Sequence, residues 1–146
     1  RADAVHGIGP REPWSYGPEA EAAAMEALRL RYRLLPYIEK TIAQSCATGL
    51  PVQRMMAIAC PDERESWSFD DQFFFGDDLL VAPCYDPSGA VEVYLPSGQW
   101  RRFLADNGAL HEGGRVHRLT LSLTDMAVFV RDGVHIPLGD DMEYIN

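Results

Sequence analysis

The sequence predicts an α+β fold: one long helical stretch followed by a small antiparallel β-sandwich. Three observations carry this. From Met25 to Ile42 apolar residues recur every three or four positions, the period of a helix face. Beyond Leu50 the apolar runs shorten, and several alternate with polar residues, as strands do. Gly, Pro and Asp-Gly signals separate these runs at regular spacing, the texture of a sandwich.

Residues 1–16, RADAVHGIGPREPWSY, read as a loop rich in Gly, Pro and aromatic side chains. Gly17-Pro18-Glu19 opens the helix, with Pro18 suited to its first turn and Glu19 and Glu21 placed where the helix dipole favours negative charge. Met25, Leu28, Tyr32, Leu35, Ile38 and Ile42 share one face, with Arg29, Arg33 and Lys40 off it. Gly49, followed by Pro51, is a stop signal. Pro36 has no N–H to give and clashes with the preceding turn, which predicts a kink near Leu35 or two helices in sequence.

Residues 51–60 are predicted to be extended and to lead into a polar segment, 61–71, around Trp67. Leu79-Leu80-Val81-Ala82 reads as a buried strand between Gly76-Asp77-Asp78 and Pro83. Residues 91–95 alternate with period two, and Ser97-Gly98-Gln99 is expected to turn them back into 100–104. Residues 116–123 alternate as well. The strongest hairpin signal is 127–131, Asp132-Gly133, then 134–138, because Asp-Gly meets the positive-φ demand of a tight turn.

Composition narrows the function classes. The chain has 146 residues, 47% of them hydrophobic, so it can build a core. Against 22 Asp and Glu stand 13 Lys and Arg, a net charge of −9, which argues against nucleic-acid binding. No stretch approaches the roughly 20 apolar residues of a membrane helix, and no secretory-leader pattern is present. Cys46, Cys60 and Cys84 show no CxxC spacing. They read as buried free thiols of a reducing compartment, hence a cytoplasmic protein.

No self-contained catalytic constellation is visible. There is no Gly-rich phosphate loop and no GxSxG elbow. His6, His111, His117 and His135 lack metal-ligand spacing, so no metal site is expected from them. Asp70-Asp71, Asp77-Asp78 and Asp140-Asp141 lie beside turns and read as solvated acids. The helix is left without a helical partner in the rest of the chain. Its apolar face calls for cover by the sandwich or by more polypeptide, which suggests a fragment with a domain boundary near residue 49.

Whole phrases are more specific. HGIGPREPWSYG, LRYRLLPY, ATGLPVQR, QFFFGDDLLVAP, VYLPSGQW and VFVRDGVHIP occur in this order across residues 6–139. Together they resemble glycoside hydrolase family 31, the α-glucosidase and α-xylosidase family. The resemblance implies that residues 1–49 are the last loop and helix of a catalytic (β/α)8 barrel, and 50–146 the proximal C-terminal β-sandwich. Active sites of such barrels lie in the loops at the C-terminal ends of the strands.

The resemblance further implies a retaining mechanism with two aspartates, a nucleophile and an acid/base, both on earlier barrel strands and neither in this chain. The chain alone is then expected to be inactive. His6 aligns with the family histidine that hydrogen-bonds hydroxyls of the reacting sugar, although Ala4 stands where many members have Arg. Trp14 is a second substrate-binding candidate as a stacking wall, but the preferred reading has Arg11 and Glu12 holding the loop and Trp14 packed beneath it. Trp67, Trp100 and Phe73-Phe74-Phe75 read as packing residues, and Arg29, Arg31 and Arg33 as charges facing the rest of the barrel.

The implied partners are an α-linked sugar and the rest of the polypeptide, with no metal or organic cofactor, and with the sandwich bracing the barrel and offering a surface for oligomer contacts. The form HGxxPREPW and the ending Pro137-Leu138-Gly139 favour α-xylosidase over α-glucosidase. A carbohydrate-binding or structural sandwich module is the alternative. As a binding module it would need Trp100 and Tyr94 exposed on one face.

Overall fold

The computed structural model describes residues 11–104 and 108–140. A 3₁₀ turn over Pro13–Tyr16 precedes helix α1 (Pro18–Arg33) and helix α2 (Leu35–Thr48). There follow β1 (Gln53–Met55), the short helix α3 (Met56–Ala59), a 3₁₀ turn at Arg64–Ser68, β2 (Phe73–Phe75) and β3 (Leu79–Ala82). The chain continues through β4 (Ala90–Leu95), β5 (Gln99–Arg102), β6 (His111–Glu112), β7 (Arg115–Thr120) and β8 (Ala127–Arg131).

The helical stretch is two helices in sequence, not one kinked helix. Leu34, at φ −80° and ψ −3°, ends α1 and starts α2, because Pro36 cannot donate the hydrogen bond that would carry one ladder into the next. Pro18 and the acids Glu19 and Glu21 open α1 as expected. Gly49 closes α2 in the left-handed region at φ 77°, its N–H donating to Ser45 O at 2.9 Å.

A six-stranded antiparallel sheet has the order β1-β2-β3-β8-β5-β6, and β4 pairs with β7 in a separate two-stranded ribbon. The central strands β3 and β8 are apolar on both faces, and period two sends alternate residues to opposite sides. Leu80, Ala82, Ala127 and Phe129 join Phe74, Val93, Leu95 and Trp100 in a core between sheet and ribbon. Leu79 and Val130 point the other way and pack with Tyr37 of α2 and Ile136. The result is three layers: helices, six-stranded sheet, ribbon.

Four strand expectations are corrected. Residues 91–95 and 100–104 do not form a hairpin: β4 pairs with β7 while β5 pairs with β8 and β6. Residues 134–138 are not a return strand. Both edges of β8 are already taken, by β3 and β5, so Asp132-Gly133 turns the chain away from the sheet. Residues 51–60 are extended only over β1 and then wind into α3. The strand at 116–123 ends earlier than expected, at Thr120, and the brief β6 was not foreseen.

Two polar groups lock the layers, and neither was singled out in the sequence. Gln72 is buried, accepts from Tyr94 N–H and donates to Tyr94 O, both at 2.8 Å, standing in for a strand beside β4. Tyr37, 1% exposed, donates its hydroxyl to Phe75 O at 2.7 Å and accepts from Asp78 N–H at 3.2 Å. Burial, then the nearby Asp78 charge, pushes the phenol above the ordinary tyrosine range, while its backbone hydrogen bonds pull the other way.

Tyr37→Phe removes both bonds and leaves a buried carbonyl without its donor. The expected loss is about 1–3 kcal/mol, measurable as a lower urea midpoint with unchanged slope. The raised phenol adds a pH signature. The folded state holds the proton more tightly, so this contribution is complete below the unfolded value near 10. It disappears as the pH rises through the higher folded value, and Tyr37→Phe should abolish this alkaline sensitivity.

The acid pairs are not all solvated. Asp77 pairs with Arg54, which is 7% exposed and also donates from Nε to Pro51 O at 2.8 Å. Asp78 lies 3.5 Å from Lys40 Nζ of α2. Asp78 is drawn in, its side chain 21% exposed, because the β2–β3 turn sits under the helix, while Asp77 stays solvated at 49%. Among the described residues Asp70 and Asp71 form no ion pair, and Asp140 is the last residue described. The cysteines also differ from expectation: all three are free, but only Cys60 is buried, with Cys46 and Cys84 exposed.

Candidate functional site

His6, the leading candidate, lies outside the described residues. The part of its loop that is described runs from Arg11 into α1. Glu12 flanks the 3₁₀ turn, its carbonyl accepting from Ser15 N–H at 2.9 Å and its carboxylate from Arg11 N–H at 3.0 Å. Glu12 therefore holds the loop, as its phrase implied. Pro13 starts the turn, and Gly17 O accepts from Glu21 N–H at 3.0 Å, joining loop to helix.

This framing presents two aromatic rings. Trp14 is 65% exposed and Tyr16 68%, so neither packs beneath the loop within this chain. Exposed rings at the head of a helix suit contact with the apolar face of a pyranose or with further polypeptide. Tyr16 was not singled out in the sequence, although the spacing Trp-Ser-Tyr placed it beside Trp14.

The apolar stripe of the helices is also open. Met25, Leu28 and Ile42 are each close to half exposed, and α1 has no buried residue. Only Tyr37 and Thr41 of α2 are buried on the sheet. The stripe read from the sequence is thus mostly not the face that packs on the sandwich. Below it, a groove of about 540 Å³ runs between α1 and the sheet, lined by Arg29, Arg33, Arg102 and Asp125 among others. Arg29 is tied to Glu26 at 2.8 Å on the helix surface.

The sandwich has no aromatic platform at the residues a binding module would need. Trp100 is fully buried, donates to Pro96 O at 2.6 Å, and is covered by the Arg131 guanidinium 4.4 Å from its ring centre. Tyr94 is 5% exposed, and burial followed by the Glu63 charge raises its pKa. Trp67 is half exposed, with its indole N–H bonded to Cys60 O at 3.2 Å, so it is only partly a packing residue. Among the described residues no group of three His, Cys, Asp or Glu side chains could hold a metal ion.

Among the described residues the shifted groups lie in the core or in local turn and ribbon contacts. Burial, then Glu63, raises the Cys60 thiol. Asp125 is lowered by Ser122, which offers both its N–H and its hydroxyl. Asp86 and Asp125 are both lowered, each by hydrogen bonds within its own turn, and so do not form the oppositely shifted pair that two-carboxylate hydrolysis needs.

Comparison with known proteins explains this combination of an open helix face and a closed sandwich. Residues 1–41 match the glycosyl hydrolases family 31 TIM-barrel domain, and residues 49–136 the glycosyl hydrolase family 31 C-terminal domain. The chain belongs to glycoside hydrolase family 31. Its α+β architecture is therefore that of the end of a family 31 barrel plus the β-sandwich domain that follows it.

Two relatives illustrate the family 31 match. An α-xylosidase of Saccharolobus solfataricus is 36% identical over 137 residues, 92% of this chain and 18% of that protein. Alpha-glucosidase 2 of Bacillus thermoamyloliquefaciens is 33% identical over 135 residues, 92% of this chain and 17% of that protein. The chain thus spans about a sixth of the length of these relatives. A Flavobacterium johnsoniae family 31 dextranase complexed with glucose superimposes with a TM-score of 0.89 at 32% identity, over 94% of this chain and 17% of that one. A family 31 α-xylosidase from a soil metagenome, complexed with xylose, gives 0.79 at 34% identity over 88% and 19%.

Proposed function

We propose that this chain is the closing segment of a retaining α-glycosidase that hydrolyses terminal α-xylosyl or α-glucosyl residues. One observation carries the reading. The stretch matching the TIM-barrel family runs through a helix whose apolar Met25 and Leu28 the described residues leave close to half exposed. A barrel helix needs such a face against its neighbours. In this reading residues 1–49 complete the barrel and 50–146 brace it, with the catalytic aspartates on polypeptide that precedes Arg1.

The chemistry divides accordingly. One carboxylate attacks the anomeric carbon while the other protonates the leaving oxygen; water then releases the sugar, with net retention. This chain supplies binding: His6 offers a hydrogen bond to hydroxyls of the reacting sugar, and Trp14, exposed on its rigid turn, a flat apolar wall. Neutral sugars are held by hydrogen bonds and ring contact, so the charge of −9 is no obstacle. The unpaired thiols support a reducing, cytoplasmic setting.

We assign the α-xyloside as the preferred substrate, on the HGxxPREPW phrase and the Pro137-Leu138-Gly139 ending. The test is kcat/KM of the full-length enzyme on paired aryl α-xyloside and α-glucoside. A higher value for the xyloside is expected. A higher value for the glucoside would move the assignment to α-glucosidase.

A further inference from the structure

The segment after β8 closes on the break between the two helices. Asp132 N–H donates to Gln99 O at 2.8 Å and Val134 N–H to Arg131 O at 3.1 Å, which turns the chain off the sheet. Ile136, 5% exposed, then anchors among Tyr37, Leu79 and Val130, with Val134 and Leu138 packed on the same cluster beside Leu34. Gly139 N–H finally donates to Arg33 O at 2.7 Å.

That last bond falls where the helical ladder is broken. Arg33 is the last residue of α1, and its carbonyl is among those a helix end leaves to outside donors. Gly139 supplies the donor from the far end of the sandwich domain. A methyl group on Gly139 would sit 3.6 Å from the Pro36 ring and 3.7 Å from Arg33 O, in ordinary contact. The position therefore requires an N–H but not a glycine.

We propose that residues 134–139 are a positioning strap: they fix the angle between α1 and α2, and through α1 they place the Trp14 turn at its head. The lever is long. The 16 residues of α1 span about 24 Å, so a tilt of about 5° at Leu34 moves the head by about 2 Å. A displacement of about 1 Å at a substrate-positioning group is enough to cost on the order of a hundredfold in rate. The strap thus gives the sandwich a direct hold on the sugar-facing loop. This rests on reading α1 as a barrel helix whose head faces the substrate.

Gly139→Pro removes the N–H, and Gly139→Ala keeps it. In the full-length protein, with Cys46 and Cys84 replaced by serine, spin labels at positions 21 and 92 report the distance from the head of α1 to the ribbon. Gly139→Pro should shift or broaden this distance by about 2 Å or more and lower kcat/KM on an aryl α-glycoside by about 10–100-fold, with Gly139→Ala matching the parent in both. Should Gly139→Pro fail to fold, a Gly-Gly insertion between Leu138 and Gly139 slackens the strap with every side chain kept, and the same shift is expected. An unchanged distance in the slackened protein overturns the strap, as does an equal effect of Gly139→Ala. If the parent turns over no α-glycoside, the glycosidase reading fails while the distance still decides the strap.

Discussion

Gly89→Ala is expected to lower the thermal midpoint of the protein by about 6–12 °C, from a loss of about 3 kcal/mol. Gly89 lies just before β4 at φ 79°, and its carbonyl accepts from Leu121 N–H at 2.9 Å. An added Cβ would overlap Leu121 O, with the carbonyl carbon at 3.1 Å and the nitrogen at 3.2 Å behind it. All three are backbone atoms, so no side chain can rotate away. Relief would require the two ends of the ribbon to part, unseating Leu121 from the core.

The control is Gly133→Ala. Gly133 has nearly the same φ, 78°, but nothing within 4 Å of an added Cβ. Only the backbone cost of about 1 kcal/mol remains, a fall of about 2–4 °C. Equal shifts in the two variants would mean that the close approach at Leu121 does not exist. Circular dichroism melts of the two proteins side by side decide it.

His6→Ala is expected to lower kcat/KM of the full-length enzyme by about 10–1,000-fold, the loss of one or two hydrogen bonds to the reacting sugar. Such bonds contribute to rate to the extent that they strengthen as the ring flattens toward its oxocarbenium-like transition state. The melting temperature should hardly move. Unchanged kinetics would remove His6 from the substrate site.

Much of the fold was legible because it rests on local chemistry. Pro18, Gly49 and the acids of the first turn set the helix ends, and Pro36 broke the helix where its missing N–H demanded. The strands β3 and β8 were visible as apolar runs, and β4 and β7 as alternations. What could not be read was pairing. Asp132-Gly133 is a sound turn signal, but whether a strand follows depends on a free edge, and β3 and β5 had filled both. Likewise 97–99 turns the chain into a different sheet, a choice made by the core around Trp100 rather than by the turn.

The site divides along the same line. Glu12 and Pro13 shape a turn by local bonds, so the loop phrase predicted its own framework. The covering of the helix stripe is nonlocal: period 3.6 marked Met25, Leu28 and Ile42 as wanting a partner, but not which one. The sandwich took Tyr37 and Thr41 instead: the Tyr37 hydroxyl reaches Phe75 O, and Thr41, its own hydroxyl satisfied within the helix by Tyr37 O, lies against Gly76. Arg54 and Gln72 escaped notice for a similar reason. A buried polar side chain is recognisable only once its partners, Asp77 and Tyr94, have been brought beside it.

The central claim is that this chain completes a retaining α-glycosidase. Proton NMR of the full-length enzyme acting on an aryl α-xyloside tests it most directly, by following the first sugar released before mutarotation. The α-anomer is expected first, as a two-carboxylate double displacement requires. The β-anomer first, or no release from either α-xyloside or α-glucoside, would contradict it.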